Sequence, residues 1–125
     1  MIKFVAFFAY PVVEMERSRL FYEKTLGLTL SHNFQDKWTK YDISGSTLAI
    51  TTMAEDYCGR GFSPGAKGGF IALEVNDLDS WVSRLREGKI PFLMEPFETP
   101  VCRMATVADP DGNGIILHQC KPGHR

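Results

Sequence analysis

The chain has 125 residues, 44% of them hydrophobic and 23% charged, the balance of an ordinary globular domain able to bury a core. Its formal net charge is -1, with Lys and Arg scattered among Asp and Glu, which excludes a nucleic-acid surface built on phosphate contacts. Cys58, Cys102 and Cys120 match no zinc-ribbon or redox-motif spacing and read as free thiols of a reducing cytosol.

The apolar run Phe4–Val13 follows Lys3, contains Pro11 and passes straight into Glu14-Met15-Glu16-Arg17 without a small-residue cleavage site. It is too short to cross a bilayer, so it reads as a buried strand of a cytoplasmic protein with no membrane partner. Glu14-Met15-Glu16 suits a helix N-terminus, where free N–H groups and the dipole favour negative charge. Met15, Leu20, Phe21 and Leu26 at helical spacing predict a helix over 15–26, closed by Gly27 as a left-handed cap. Strands follow over 28–34, 38–43 and 46–53, with Ser44-Gly45 turning between the last two. Residues 54–69, rich in Gly and including Pro64, read as a linker loop.

The second half repeats the first. Phe70-Ile71-Ala72 matches Phe7-Phe8-Ala9, and seven residues after each leading Phe comes an acid-apolar-acid triplet, here Asp77-Leu78-Asp79. Leu78, Trp81, Val82 and Leu85 predict a helix over 78–87 with Trp81 in the core, ended by Gly88 in the same kind of cap. Strands at 91–95, 102–108 and 114–120 complete the unit, the last two joined by a tight turn at Asp109-Pro110-Asp111-Gly112-Asn113. The expectation is an α+β domain of two βαβββ units: repeat one about 1–53, a linker about 54–67 and repeat two about 68–120.

Strand side chains alternate between faces. Ala6, Phe8 and Tyr10, Leu48 and Ile50, Ile71, Leu73 and Val75, and Ile115 and Leu117 form one parity set and are expected under the helices. Phe7, Ala49, Phe70 and Ile116 then share the opposite, concave face. His118, two residues beyond Ile116, lies on that face and is a candidate to orient a ligand or act as a general base. Glu74 has the parity of Phe70 and is its candidate acid/base partner. For both, the plainer reading is a strand-end residue making a structural hydrogen bond or meeting solvent. Thr47 and Thr51 flank Ala49 as hydroxyl donors, or as ordinary strand formers. Met104 and Thr106 are expected opposite His118 and Ile116, with Cys102 beside Cys120 as packed thiols. Trp38 and Tyr41 share a strand with opposite parities, and alternation leaves open which faces a ligand. Tyr57, Arg60, Phe62 and Arg103 are rim candidates. His32 falls in a different strand from His118, and His124 in a polar tail.

The run Glu14-Met15-Glu16-Arg17-Ser18-Arg19-Leu20-Phe21-Tyr22 leading to Leu26-Gly27-Leu28 resembles the vicinal oxygen chelate superfamily of glyoxalase I, bleomycin-resistance proteins and extradiol dioxygenases. Leu73-Glu74-Val75-Asn76-Asp77-Leu78-Asp79 and Asp109-Pro110-Asp111-Gly112-Asn113 extend the resemblance over nearly the whole chain. It implies cup-like curved mixed sheets with helices outside, a homodimer, and metal ligands from the first and last strands of each unit. Carried over, those ligands fall on Phe7, Ala49, Phe70 and Ile116, none of which has a lone pair for a divalent ion. The expectation is therefore no metal and no other cofactor. The favoured function is a metal-free small-molecule-binding protein of the bleomycin-resistance type. Its small apolar or aromatic ligand would meet Phe7, Ala49, Thr51, Phe70, Met104, Ile116 and His118 in an apolar cleft. Two alternatives stand beside it: a metal-independent lyase- or isomerase-like enzyme using His118, and a degenerate scaffold whose cavity Phe7 and Phe70 fill.

Overall fold

Each half of the chain folds as a helix laid on one face of a four-stranded mixed sheet. In the first half β1 (Phe8–Pro11), α1 (Met15–Leu20), a π-helical continuation (Phe21–Thr25), β2 (Thr29–Phe34), β3 (Trp38–Ile43) and β4 (Ser46–Thr51) are followed by a short helix, α2 (Ala54–Cys58). In the second, β5 (Ile71–Glu74), α3 (Leu78–Glu87), β6 (Phe92–Glu98), β7 (Cys102–Ala108) and β8 (Gly114–Cys120) repeat the pattern. The sheets run β1-β4-β3-β2 and β5-β8-β7-β6, with β1–β4 and β5–β8 parallel and the other pairs antiparallel. The computed structural model describes residues 1–58 and 70–123. These fall into two units, Met1–Ala66 and Lys67–Arg125. Among the described residues no helix is long and apolar enough to cross a membrane.

Local chemistry explains the ends of the elements. Glu14 and Asp77 cap their helices by accepting from the backbone N–H groups of Arg17 and Ser80, satisfying donors that have no partner inside the helix. The N–H of Leu78 is taken by the side-chain oxygen of Gln119 at 2.8 Å, which pins α3 to β8. Ser44 and Gly45 both have positive φ, as a two-residue hairpin turn requires. In the β7–β8 turn, buried Asp109 accepts from the backbone of Asp111 and Asn113 and from the Asn113 amide.

The parity argument holds in both sheets. Tyr10, Tyr41, Leu48 and Ile50 are buried on the helix side of the first sheet, and Ala105, Val107, Ile115 and Leu117 on that of the second.

Several expectations need correction. The apolar run before β1 is not a buried strand throughout, since Phe4 and Val5 are exposed and pairing begins only at Phe8. Ala6 is likewise exposed rather than under a helix. Residues 54–58 form α2 instead of loop. Leu20 is not a core residue: it lies five residues from Met15, about 140° around the helix, and is exposed. Ser18 and Tyr22 occupy the buried stripe instead, helped by the wider π turn. Gly88 is not left-handed, with φ of -78°; the positive φ falls one residue later, at Lys89. Trp81 is half-buried, its ring covered by the Arg84 guanidinium at 4.0 Å.

Candidate functional site

The face of the first sheet turned away from α1 carries two cross-strand rows. One reads His32, Lys40, Ala49, Ala9 and the next Phe34, Trp38, Thr51, Pro11. This face carries a groove of about 880 Å³ in which the short side chain of Ala9 lies among larger lining residues, while its strand partner Ala49 is fully buried. Its apolar wall is a chain of rings. Phe7 meets Trp38 edge-on at 5.3 Å, and Trp38 meets Tyr57 at 5.5 Å. The short helix α2 is what delivers Tyr57 to this position.

Trp38 therefore faces the groove and Tyr41 faces the core. Tyr41 stacks on Tyr22 at 5.9 Å and donates its hydroxyl to Glu23 at 2.9 Å. Burial, reinforced by that bond to a carboxylate, drives the Tyr41 phenol well above its ordinary pKa. Glu23 also accepts from Arg19 at 2.7 Å, and this bond holds its carboxyl below the usual range.

The sequence candidates divide between the two units. Phe7 and Thr51 line the groove, whereas Ala49, fully buried in the row of Lys40 and Ala9, is not among the lining residues. Phe7 is 44% exposed and stands as a wall rather than filling the hollow. Thr51 is not an available donor, because its hydroxyl proton goes to the Lys37 carbonyl and its oxygen accepts from the Met53 N–H. Thr47 is not among the lining residues. Arg60, Phe62 and His124 lie outside the described residues.

Phe70, Met104, Ile116, His118 and Glu74 belong to the second unit. Its corresponding rows read Met94, Thr106, Ile116, Ala72 and Phe97, Met104, His118, Glu74. Phe70 is 65% exposed. The expected pairing of His118 with Glu74 is present, Nδ1 to Oε1 at 2.7 Å. The other carboxylate oxygen accepts from the Cys120 N–H at 2.8 Å. That amide bond first, and His118 second, hold the Glu74 carboxyl below its usual range. Cys120 Sγ lies 3.8 Å from Oε1, so carboxylate, imidazole and thiol converge within 4.8 Å. Both Glu74 oxygens are already engaged, which makes the trio first of all a latch between β5 and β8. Cys102 is the register partner of Cys120, and its thiol lies 3.2 Å from the Thr99 hydroxyl. Arg103 is committed to Asp79 at 2.7 Å.

His32, Phe34, Lys37 and Lys40 at the groove were not singled out by sequence reasoning as ligand contacts. Lys40 carried a usable signal: two residues from Trp38, it must share whichever face Trp38 takes.

A model of the Glyoxalase/Bleomycin resistance protein/Dioxygenase superfamily matches residues 5–117. Among solved structures, the chain is similar to TnmS3, an antibiotic binding protein from a Streptomyces species, with 29% identity, TM-score 0.77 and coverage of 96% of this chain and 98% of that one. A member of the same superfamily from Sphaerobacter thermophilus is 25% identical, with TM-score 0.75 and coverage of 94% and 98%. Lactoylglutathione lyase from Agrobacterium tumefaciens shares the fold at 15% identity, TM-score 0.75 and coverage of 94% of each chain. No curated protein matches the chain in sequence.

Proposed function

The chain belongs to the Glyoxalase/Bleomycin resistance protein/Dioxygenase superfamily, and from that premise we propose that it binds a small aromatic molecule in the first unit's groove. The observation that carries the reading is the Phe7–Trp38–Tyr57 ring chain along a groove in which Ala9 leaves room. Aromatic edges and faces offer a planar ligand stacking contacts, and the short Ala9 side chain leaves room for its thickness. The likeness to an antibiotic binding protein supports binding of the bleomycin-resistance type.

The metal used by many relatives does not fit here. Phe7, Ala49, Phe70 and Ile116 offer no donor atom at the positions the family motif would assign. The reading is of a metal-free binder. Equilibrium binding of planar aromatic compounds, scored by a rise in melting temperature, tests it. Trp38→Ala is expected to weaken any hit roughly tenfold, by removing the ring at the centre of the chain. Undiminished affinity in that variant rejects the groove as the site.

A second reading has its own observation, the 2.7 Å contact between His118 and Glu74, which suits a metal-independent acid/base pair. It requires turnover that His118→Gln abolishes without unfolding the protein. We also propose a homodimer, supported by the large apolar side chains left exposed on both sheets, among them Phe34, Met94 and Phe97. Sedimentation at micromolar concentration checks it.

A further inference from the structure

We infer that the groove of the first unit selects aromatic molecules that carry an anionic group, a carboxylate or a phenolate, with Lys40 as the principal contact. The inference rests on the binding reading above and adds the charge of the ligand to it. The side chains lining the groove include Lys37, Lys40 and His32 and no Asp or Glu. Elsewhere Arg19, Arg86, Arg103 and Lys121 each face a carboxylate. Neither Lys37 nor Lys40 has an ion-pair partner among the described residues.

The nearby acids are committed or lie elsewhere. Asp36, in the β2–β3 turn, is held by the Asn33 amide at 2.8 Å and faces Arg19. Asp42, on the same face of β3 as Lys40, accepts from the Gly45 N–H of its own turn. Glu55 and Asp56 on α2 are outside the lining.

Register places Lys40 where its charge is useful. Its strand partners are His32 on one side and the small Ala49 on the other, with Ala9 beyond, and Lys40, His32 and Ala9 all line the groove. Its aliphatic stem can lie along the apolar surface while the head reaches a bound anion. Rings on one wall lower the local dielectric, and a charge-assisted hydrogen bond there counts for more than one in open water. A cationic aromatic would instead meet a groove lined by Lys37 and Lys40 and by no carboxylate.

The test is calorimetric binding of 2-naphthoate against its neutral counterpart 2-naphthamide at neutral pH. The acid is expected to bind roughly fivefold to tenfold tighter. Lys40→Met should bring the two to parity, and Lys40→Arg should keep the preference. In the unaltered protein, added salt should narrow the gap, a readout that does not depend on any variant folding. Equal affinity for both compounds, or a preference that Lys40→Met leaves intact, overturns the inference while the groove reading survives. Failure of both compounds to bind rejects the groove reading and the inference with it.

Discussion

The two units share one plan and differ in what their open sheet faces carry. Position for position, the row His32, Lys40, Ala49, Ala9 of the first unit corresponds to Met94, Thr106, Ile116, Ala72 of the second. The next row, Phe34, Trp38, Thr51, Pro11, corresponds to Phe97, Met104, His118, Glu74. Where the first unit has alanine, the second has isoleucine. Where the first has an aromatic wall, the second has a carboxylate–imidazole latch that ties β5 to β8. The same backbone thus carries an aromatic-walled groove in one unit and a polar clasp in the other, decided by a few side chains at equivalent register. The repeat specifies a scaffold, and its departures from symmetry specify the chemistry.

The helix sides differ as well, and that difference carries the largest expected effect. Tyr41 and Val107 hold equivalent positions, and both are fully buried. Tyr41→Ala removes a stacked ring and a hydrogen bond to Glu23, so urea titration should show a loss of about 3–5 kcal/mol. Val107→Ala should cost about half as much. Equal losses would mean that the two cores carry similar loads despite their different contents.

Erasing the difference at Ala49 is the next test. Ala49→Ile gives the first unit the second unit's residue at a fully buried position beside Ala9; overpacking there should cost about 1–3 kcal/mol and, by displacing the lining, weaken aromatic ligands about tenfold. Retained affinity would show that a small residue at this position is not what admits the ligand.

The latch makes a pH prediction. The folded state holds Glu74 below its ordinary carboxyl pKa, so its contribution is full above the unfolded value and disappears as pH falls through the folded value. The stability gap between the unaltered protein and Glu74→Gln should be flat at neutral pH and close below about pH 4. A gap that persists at lower pH would mean that the carboxylate's charge is not what the latch uses. Glu23, depressed by Arg19, should give the first unit a loss of the same sign.

The smallest expected effects compare the two helix ends. Gly27 has φ of +74°, so Gly27→Ala should cost about 1 kcal/mol. Gly88 has φ of -78°, and an added Cβ would meet nothing nearer than 3.7 Å, so Gly88→Ala should be neutral or stabilising by about 0.5 kcal/mol. Thermal melts of the pair separate a cap that needs glycine from one that does not.

Much of this architecture was legible in the chain because its causes are local. Acidic caps at Glu14 and Asp77, the Ser44-Gly45 turn and strand alternation each depend on neighbours a few residues apart. The pairing of His118 with Glu74 was also within reach, since both lie on one face of adjacent strands. The ring chain was less accessible. Alternation says that Trp38 and Tyr41 point oppositely but not which is inside, and that choice turns on Tyr22 and Glu23 from the helix. Gly88 misled because a glycine at a helix end permits a left-handed turn without requiring one.

By itself, then, the sequence determined the doubled βαβββ plan, the two-faced sheets and the lack of metal donors at Phe7, Ala49, Phe70 and Ile116. These follow from periodicity and from which atoms a side chain possesses. Only the tertiary structure decided that the first unit's face carries a groove, that α2 brings Tyr57 to Trp38, and that Lys40, without an ion-pair partner among the described residues, lines the same groove. Those facts depend on register between strands and on contacts between distant segments, which a linear pattern constrains without choosing among them.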